Sequence, residues 1–141
     1  MTGYAPEINL TNLHSKSLQE VYDFIVAHLM KQGKRSVNET GTCVYRGPKG
    51  LMCAVGCLIP DEDYRIDFEG AISRTVIERM VGFVALVGFV AYGNEPDKHM
   101  VEMDNLLRTM QMIHDSREVD DWEESFRRCA HQFKIEYKEK D

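Results

Sequence analysis

The sequence predicts an α+β fold: a mostly helical single domain of about four helices with a small β-hairpin near residues 42–54. Three observations carry this expectation. Four stretches repeat apolar residues at the 3.6-residue spacing of an amphipathic helix. One stretch sets β-branched and aromatic residues on both sides of a Gly-Pro-Lys-Gly turn. The chain's 141 residues, 43% hydrophobic and 28% charged, suit one core of ordinary size.

Residues 1–14 show no period and are expected to form an extended arm. Ser17-Leu-Gln-Glu20 then fits a capping box, in which hydroxyl and carboxylate each satisfy the other's backbone N–H. Leu18, Val21, Tyr22, Ile25, Val26 and Leu29 follow on one face and Gly33 ends the pattern, so the spacing predicts a helix over 17–32. A polar linker at 34–41 leads into the hairpin, whose turn has Pro48 early and Gly50 last, as a type I turn prefers. Residues 55–59 either continue the strand or open a short buried helix, and 60–63 read as an acidic turn.

Ile72, Val76, Ile77 and Met80 return to helical spacing. The apolar run 81–92 has no alternating polar face and is read as a buried helix; the 14 apolar residues 80–93 are too few to cross a bilayer. Met100, Met103, Leu106, Leu107, Met110 and Ile113 form a stripe over 97–114. Asp120 and Asp121 are placed to cap a last helix with Trp122, Phe126, Cys129, Ala130 and Phe133 on one face. The charged tail 134–141 is expected to fray.

The charge is uneven. The chain has 17 Lys plus Arg against 23 Asp plus Glu, a net charge of −6. Residues 1–60 carry six basic and four acidic groups; residues 94–124 alone carry ten acidic and three basic. Acidity argues against direct nucleic-acid binding and points to a basic partner. Four cysteines without an export leader imply a reducing, cytoplasmic setting with free thiols and no membrane association.

Candidate chemistry is sparse. Cys43, Cys53 and Cys57, with His114 and Asp115, offer soft and hard donors for zinc or another divalent metal. They lack a CxxC knuckle, and the small apolar residues between Cys53 and Cys57 favour buried structural thiols. His114-Asp115 also matches the centre of the HD-type metal phosphohydrolase signature, for which His28 or His99 and Asp120 or Asp121 would have to complete the set. The acidic group at 61–69 fails as a calcium loop, because Ile66 and Ile72 stand at its sixth and twelfth positions. No phosphate loop, dinucleotide fingerprint, nucleophile elbow or HExxH occurs. Arg46 and Lys49 at the hairpin tip, together with Asp104, Asp115, Glu118, Asp120 and Asp121, are the candidate partner-binding residues. No catalytic residue and no cofactor are assigned, zinc being the alternative. Met100, Met103, Met110 and Met112 on one helix serve either the core or an adaptable surface.

The run from Cys43 to Tyr64 (C-x-Y-R-G-P-x-G-x-x-C-A-V-G-C-L-I-P-D-E-x-Y), with Glu69-Gly70 and the later 107–115 segment before Trp122, resembles a family of small uncharacterised phage and prophage proteins. That resemblance implies a mobile-element context and supplies no activity or cofactor. The expected function is that of a small acidic accessory protein binding a host protein, nucleic-acid-binding proteins included, to inhibit a host defence or redirect host machinery. A small metal-dependent phosphohydrolase and a self-associating structural homo-oligomer are the alternatives.

Overall fold

The computed structural model describes residues 3–70, Val76 and 98–138. The helical spacing after Gly70 and the apolar run 81–92 lie outside the described residues, except that Val76 is helical and buried. Among the described residues there are three α-helices: α1 (Leu18–Gln32), α2 (Lys98–Ser116) and α3 (Trp122–Phe133). The same residues include several short 3-10 turns and no β-strand.

α1 begins and ends where local chemistry dictates. Ser17 Oγ accepts from Glu20 N at 3.0 Å while Glu20 Oε1 accepts from Ser17 N at 2.9 Å. Hydrogen bonding from Ser17, its backbone N–H above all, holds the Glu20 carboxyl below its usual pKa. At the other end Gly33 adopts φ 69°, the left-handed conformation that frees its N–H for Leu29 O. Val21, Tyr22, Ile25 and Leu29 are buried, and Tyr22 OH donates to Phe126 O at 2.7 Å, tying α1 to α3. α2 buries Met100, Met103, Leu106, Leu107, Met110 and Ile113, and it packs mainly on α3. It continues to Ser116, so His114 and Asp115 sit within its last turn. α3 buries Trp122, Phe126, Cys129 and Ala130.

The α+β expectation is overturned. The segment 42–54 makes only two isolated antiparallel bridges, Val37 with Cys43 and Arg46 with Met52. The reason lies in where its backbone groups go. Tyr45 N and Arg46 N both donate to the Glu69 carboxylate, at 2.9 and 3.1 Å. Met52 N donates to Gln32 Oε1, and Met52 O takes His28 Nε2 and Gln32 Nε2, each at 3.0 Å. A hairpin ladder needs these donors and acceptors, and side chains from elsewhere already hold them. The 47–50 turn is tight, with Pro48 lacking an N–H and Lys49 at φ 59°.

From Cys53 to Pro60 the chain is buried without a break. Gly56 permits this, because a Cβ there would stand 2.3 Å from Tyr45 O. The arm is docked rather than loose: Leu10 and Leu13 are buried, and Leu10 N donates to Leu58 O. The tail as far as Lys138 is also tied down. Gln19 bonds Glu136 N and O, Arg127 lies over the Tyr137 ring at 4.4 Å, and Lys138 pairs with Asp23 at 3.0 Å. No helix among the described residues is long and apolar enough to cross a membrane.

Candidate functional site

Two polar clusters organise the loop side of the molecule. The first centres on Arg46, expected at an exposed hairpin tip. It is folded inward instead. Its Nη1 donates to Gly56 O at 2.7 Å and contacts Met52 Sδ at 2.9 Å; its Nη2 donates to Ile59 O at 2.6 Å and Asp61 Oδ1 at 3.0 Å. The Tyr4 and Tyr64 rings lie 5.6 and 5.2 Å from the guanidinium carbon. Tyr4 closes the cluster by donating its hydroxyl to Cys57 O at 2.6 Å and its N–H to Asp61 Oδ2 at 2.9 Å. Glu69, which holds the Arg46 backbone, also accepts from Tyr64 OH. The guanidinium is thus committed to the fold, and of the expected basic pair only Lys49 is offered to solvent.

The second cluster gathers Cys43, His114 and Asp115, whose sulfur, nitrogen and oxygen atoms lie within 4.8 Å of one another. His114 is fully buried and stacks on Trp122 with ring centroids 5.8 Å apart. Its Nε2 accepts the backbone N–H of Ser36 at 2.9 Å. A nitrogen that accepts carries no proton, so the neutral ring is protonated at Nδ1, and that N–H donates to Asp115 Oδ1 at 2.7 Å. The same carboxylate oxygen accepts from Gln111 Nε2 at 2.8 Å. Gln111 Oε1 in turn receives the Val55 N–H. Arg35 closes the corner from outside by donating to His114 O and Arg117 O.

This arrangement fits a metal poorly. Both His114 nitrogens are committed, one as acceptor and one as donor, so the neutral ring has no lone pair for an ion at the Cys43–Asp115 side. Burial, reinforced by the Asp115 carboxylate, pushes the Cys43 thiol above its ordinary pKa and away from the thiolate a metal needs. Cys53 and Cys57 stay out of the cluster. Both are fully buried; Cys53 Sγ accepts from Gly56 N and Cys57 Sγ donates to Ala54 O. Burial pushes Cys53 up to about 12 and Cys57 well above its ordinary value. Ser36, His114 and Asp115 follow the order of a hydrolase triad but invert its exposure. Ser36 and His114 are buried, the bond to Nε2 comes from the Ser36 backbone, and Asp115 alone of the three faces water.

The acidic candidates divide. Asp104 is buried on the core side of α2 with Arg108 beside it at 3.9 Å. Asp115 is exposed but engaged as described. Glu118, Asp120 and Asp121 occupy the α2–α3 link, largely exposed and without a side-chain partner among the described residues. Further along α3, Glu123 and Glu124 are half neutralised by Arg127 and Arg128 one turn on, at 3.6 and 3.0 Å. Sequence reasoning missed Gln32, Arg35 and Ser36, and it gave Glu69 and Gln111 no structural role; each is bonded to a group far away in the chain. Comparison with known proteins gives no match: no family model fits the chain, and no curated protein or solved structure is similar to it.

Proposed function

We propose that this chain acts by binding a basic surface of a host protein along the acidic α2–α3 link, in the phage or prophage setting that the 43–64 resemblance implies. The observation carrying this reading is that Glu118, Asp120 and Asp121 stand unpaired among the described residues on a backbone held firmly in place. Arg35 grips the carbonyls on one side, and buried Trp122 anchors the other. Carboxylates displayed on a pre-organised edge lose little freedom on binding and steer a cationic partner. Of the other polar candidates, Arg46, His114 and Asp115 hold the fold and Asp104 faces the core, while the exposed Lys49 carries the charge of the wrong sign for a basic partner. Inhibition of a host defence or redirection of host machinery follows from masking a nucleic-acid-binding face with these carboxylates.

The test is capture from bacterial host lysate on the immobilised chain. A basic protein should be retained at low salt and released by added salt, because such contacts are screened beyond about 8 Å at physiological ionic strength. The E118K/D120K/D121K variant should lose it, while E102K, altered at an exposed carboxylate elsewhere on α2, should retain it. Equal capture by wild type and the triple variant, or no capture by either, overturns the reading.

A further inference from the structure

We infer that the α2–α3 face is self-complementary and pairs with a second copy of this chain across a two-fold axis. Beside the acidic link runs a shallow groove of about 160 Å³, lined by Thr109, Met112, Ile113 and Arg117 of α2 and its end and by Ser125, Arg128, Cys129 and Gln132 of α3. No carboxylate lines it. Among the described residues the Arg117 guanidinium has no side-chain partner, and Arg128 commits only its Nε, to Glu124, leaving both Nη groups open. Met112, 43% exposed, supplies an apolar contact in the same groove. Two incompletely neutralised arginines therefore adjoin three carboxylates, Glu118, Asp120 and Asp121, that have no side-chain partner among the described residues, and the two sets do not pair with each other. Glu118 takes an extended conformation (φ −66°, ψ 147°) directly after Arg117, and the chain passes into the 3-10 turn Val119–Asp121 that carries Asp120 and Asp121. Two copies related by a two-fold satisfy both sets at once, since each arginine pair meets the other copy's carboxylates. Such a dimer covers the edge offered to a host partner, so self-association and partner binding compete. Dimerisation stands whether or not a host partner exists, and its test needs none.

The contacts are exposed charges, so the dimer is weak and salt-sensitive. Sedimentation equilibrium at low salt should show dimer at concentrations on the order of hundreds of micromolar, with the dissociation constant rising about tenfold or more in high salt. R117E/R128E alone and E118K/D120K/D121K alone should each be monomeric, since each faces like charge at both contacts. An equimolar mixture should restore the dimer, because one of its two contacts keeps the wild-type pairing and the other is the same pairing with signs reversed. The mixture is decisive, as no loss of folding reproduces a rescue; circular dichroism confirms that each variant is folded. A wild-type chain that stays monomeric at low salt, a dimer that persists in either variant, or a mixture that stays monomeric overturns the inference.

Discussion

The three helices and the segment between Gly33 and Gly70 are held by opposite means. Each helix satisfies its own backbone and adds an apolar stripe to the core, so its stability is shared among many equivalent side chains. The 33–70 segment has no ladder. Beside its local backbone turns, a few polar side chains hold its backbone groups: Glu69 for Tyr45 and Arg46, Gln32 and His28 for Met52, Gln111 for Val55, Arg46 for Gly56 and Ile59, His114 for Ser36. Trimming one apolar side chain of a helix stripe opens a cavity that its neighbours can partly close. Removing a polar side chain from the loop strands a buried donor or acceptor, at the full desolvation penalty of that group. The loop is therefore the region in which single polar residues matter most.

Arg46 is the sharpest test of that contrast. Arg46→Met keeps an apolar stem but removes the donor of Ile59 O, and it takes one donor each from Gly56 O and the Asp61 carboxylate, which keep the Ile59 and Tyr4 N–H groups. The Arg46–Asp61 pair is partly buried, 17% and 25% exposed, and stranding a carbonyl such as Ile59 O costs about 1–3 kcal/mol, more where a charged partner loses its donor too. The expected outcome is a loss of that order in the urea-unfolding free energy. Arg128→Met, which breaks only the exposed pair with Glu124, should stay within about 0.5 kcal/mol of wild type. If the two variants are equally stable, the Arg46 cluster is an ordinary surface interaction and the contrast fails.

His114 gives the next largest effect and tests the tautomer as well. His114→Phe preserves the ring on Trp122 but orphans the buried Ser36 N–H, a loss of about 1–3 kcal/mol. Two-bond proton–nitrogen spectra of the wild-type imidazole should show the proton on Nδ1. Zinc should leave the melting temperature unchanged. Stoichiometric zinc binding that Cys43→Ser abolishes would refute the assignment and restore the metal reading.

The same difference between local and distant partners governs what the sequence discloses. The first helix is legible to within one residue because its signals are local: a capping box, a 3.6-residue stripe and a glycine stop lie within 17 residues of one another. The hairpin expectation rests on local alternation that is present, but the residues that dissolve the ladder stand 20 to 24 positions away, at Gln32, His28 and Glu69. Distance hides the second cluster too. His114 and Asp115 stand out as neighbours, yet what fixes His114 is Ser36, 78 positions earlier. Asp104 is a readable miss. It falls four residues after Met100 and three before Leu107, on the stripe that identifies α2, so periodicity already places it toward the core. Glu118, Asp120 and Asp121 are legible as surface residues because a helix boundary is expected beside them.

The smallest expected effect comes from pH, again through a side chain that serves loop backbone. His28 is half-buried on α1, and its ring nitrogen reaches Met52 O at 3.0 Å. Burial lowers its pKa below the ordinary 6.5, outweighing the opposing pull of that carbonyl. The unfolded chain, with His28 near its ordinary value, then takes up a proton more readily than the folded one. Stability from this group is complete above about pH 6.5 and is lost as the pH falls toward the lower folded value. His28→Gln retains an N–H donor for Met52 O but does not titrate. Urea midpoints measured from pH 7.5 to 5.5 should fall less steeply for the variant than for wild type, with the other histidines common to both. Parallel curves would mean that His28 titrates alike in both states and that its burial does not shift it.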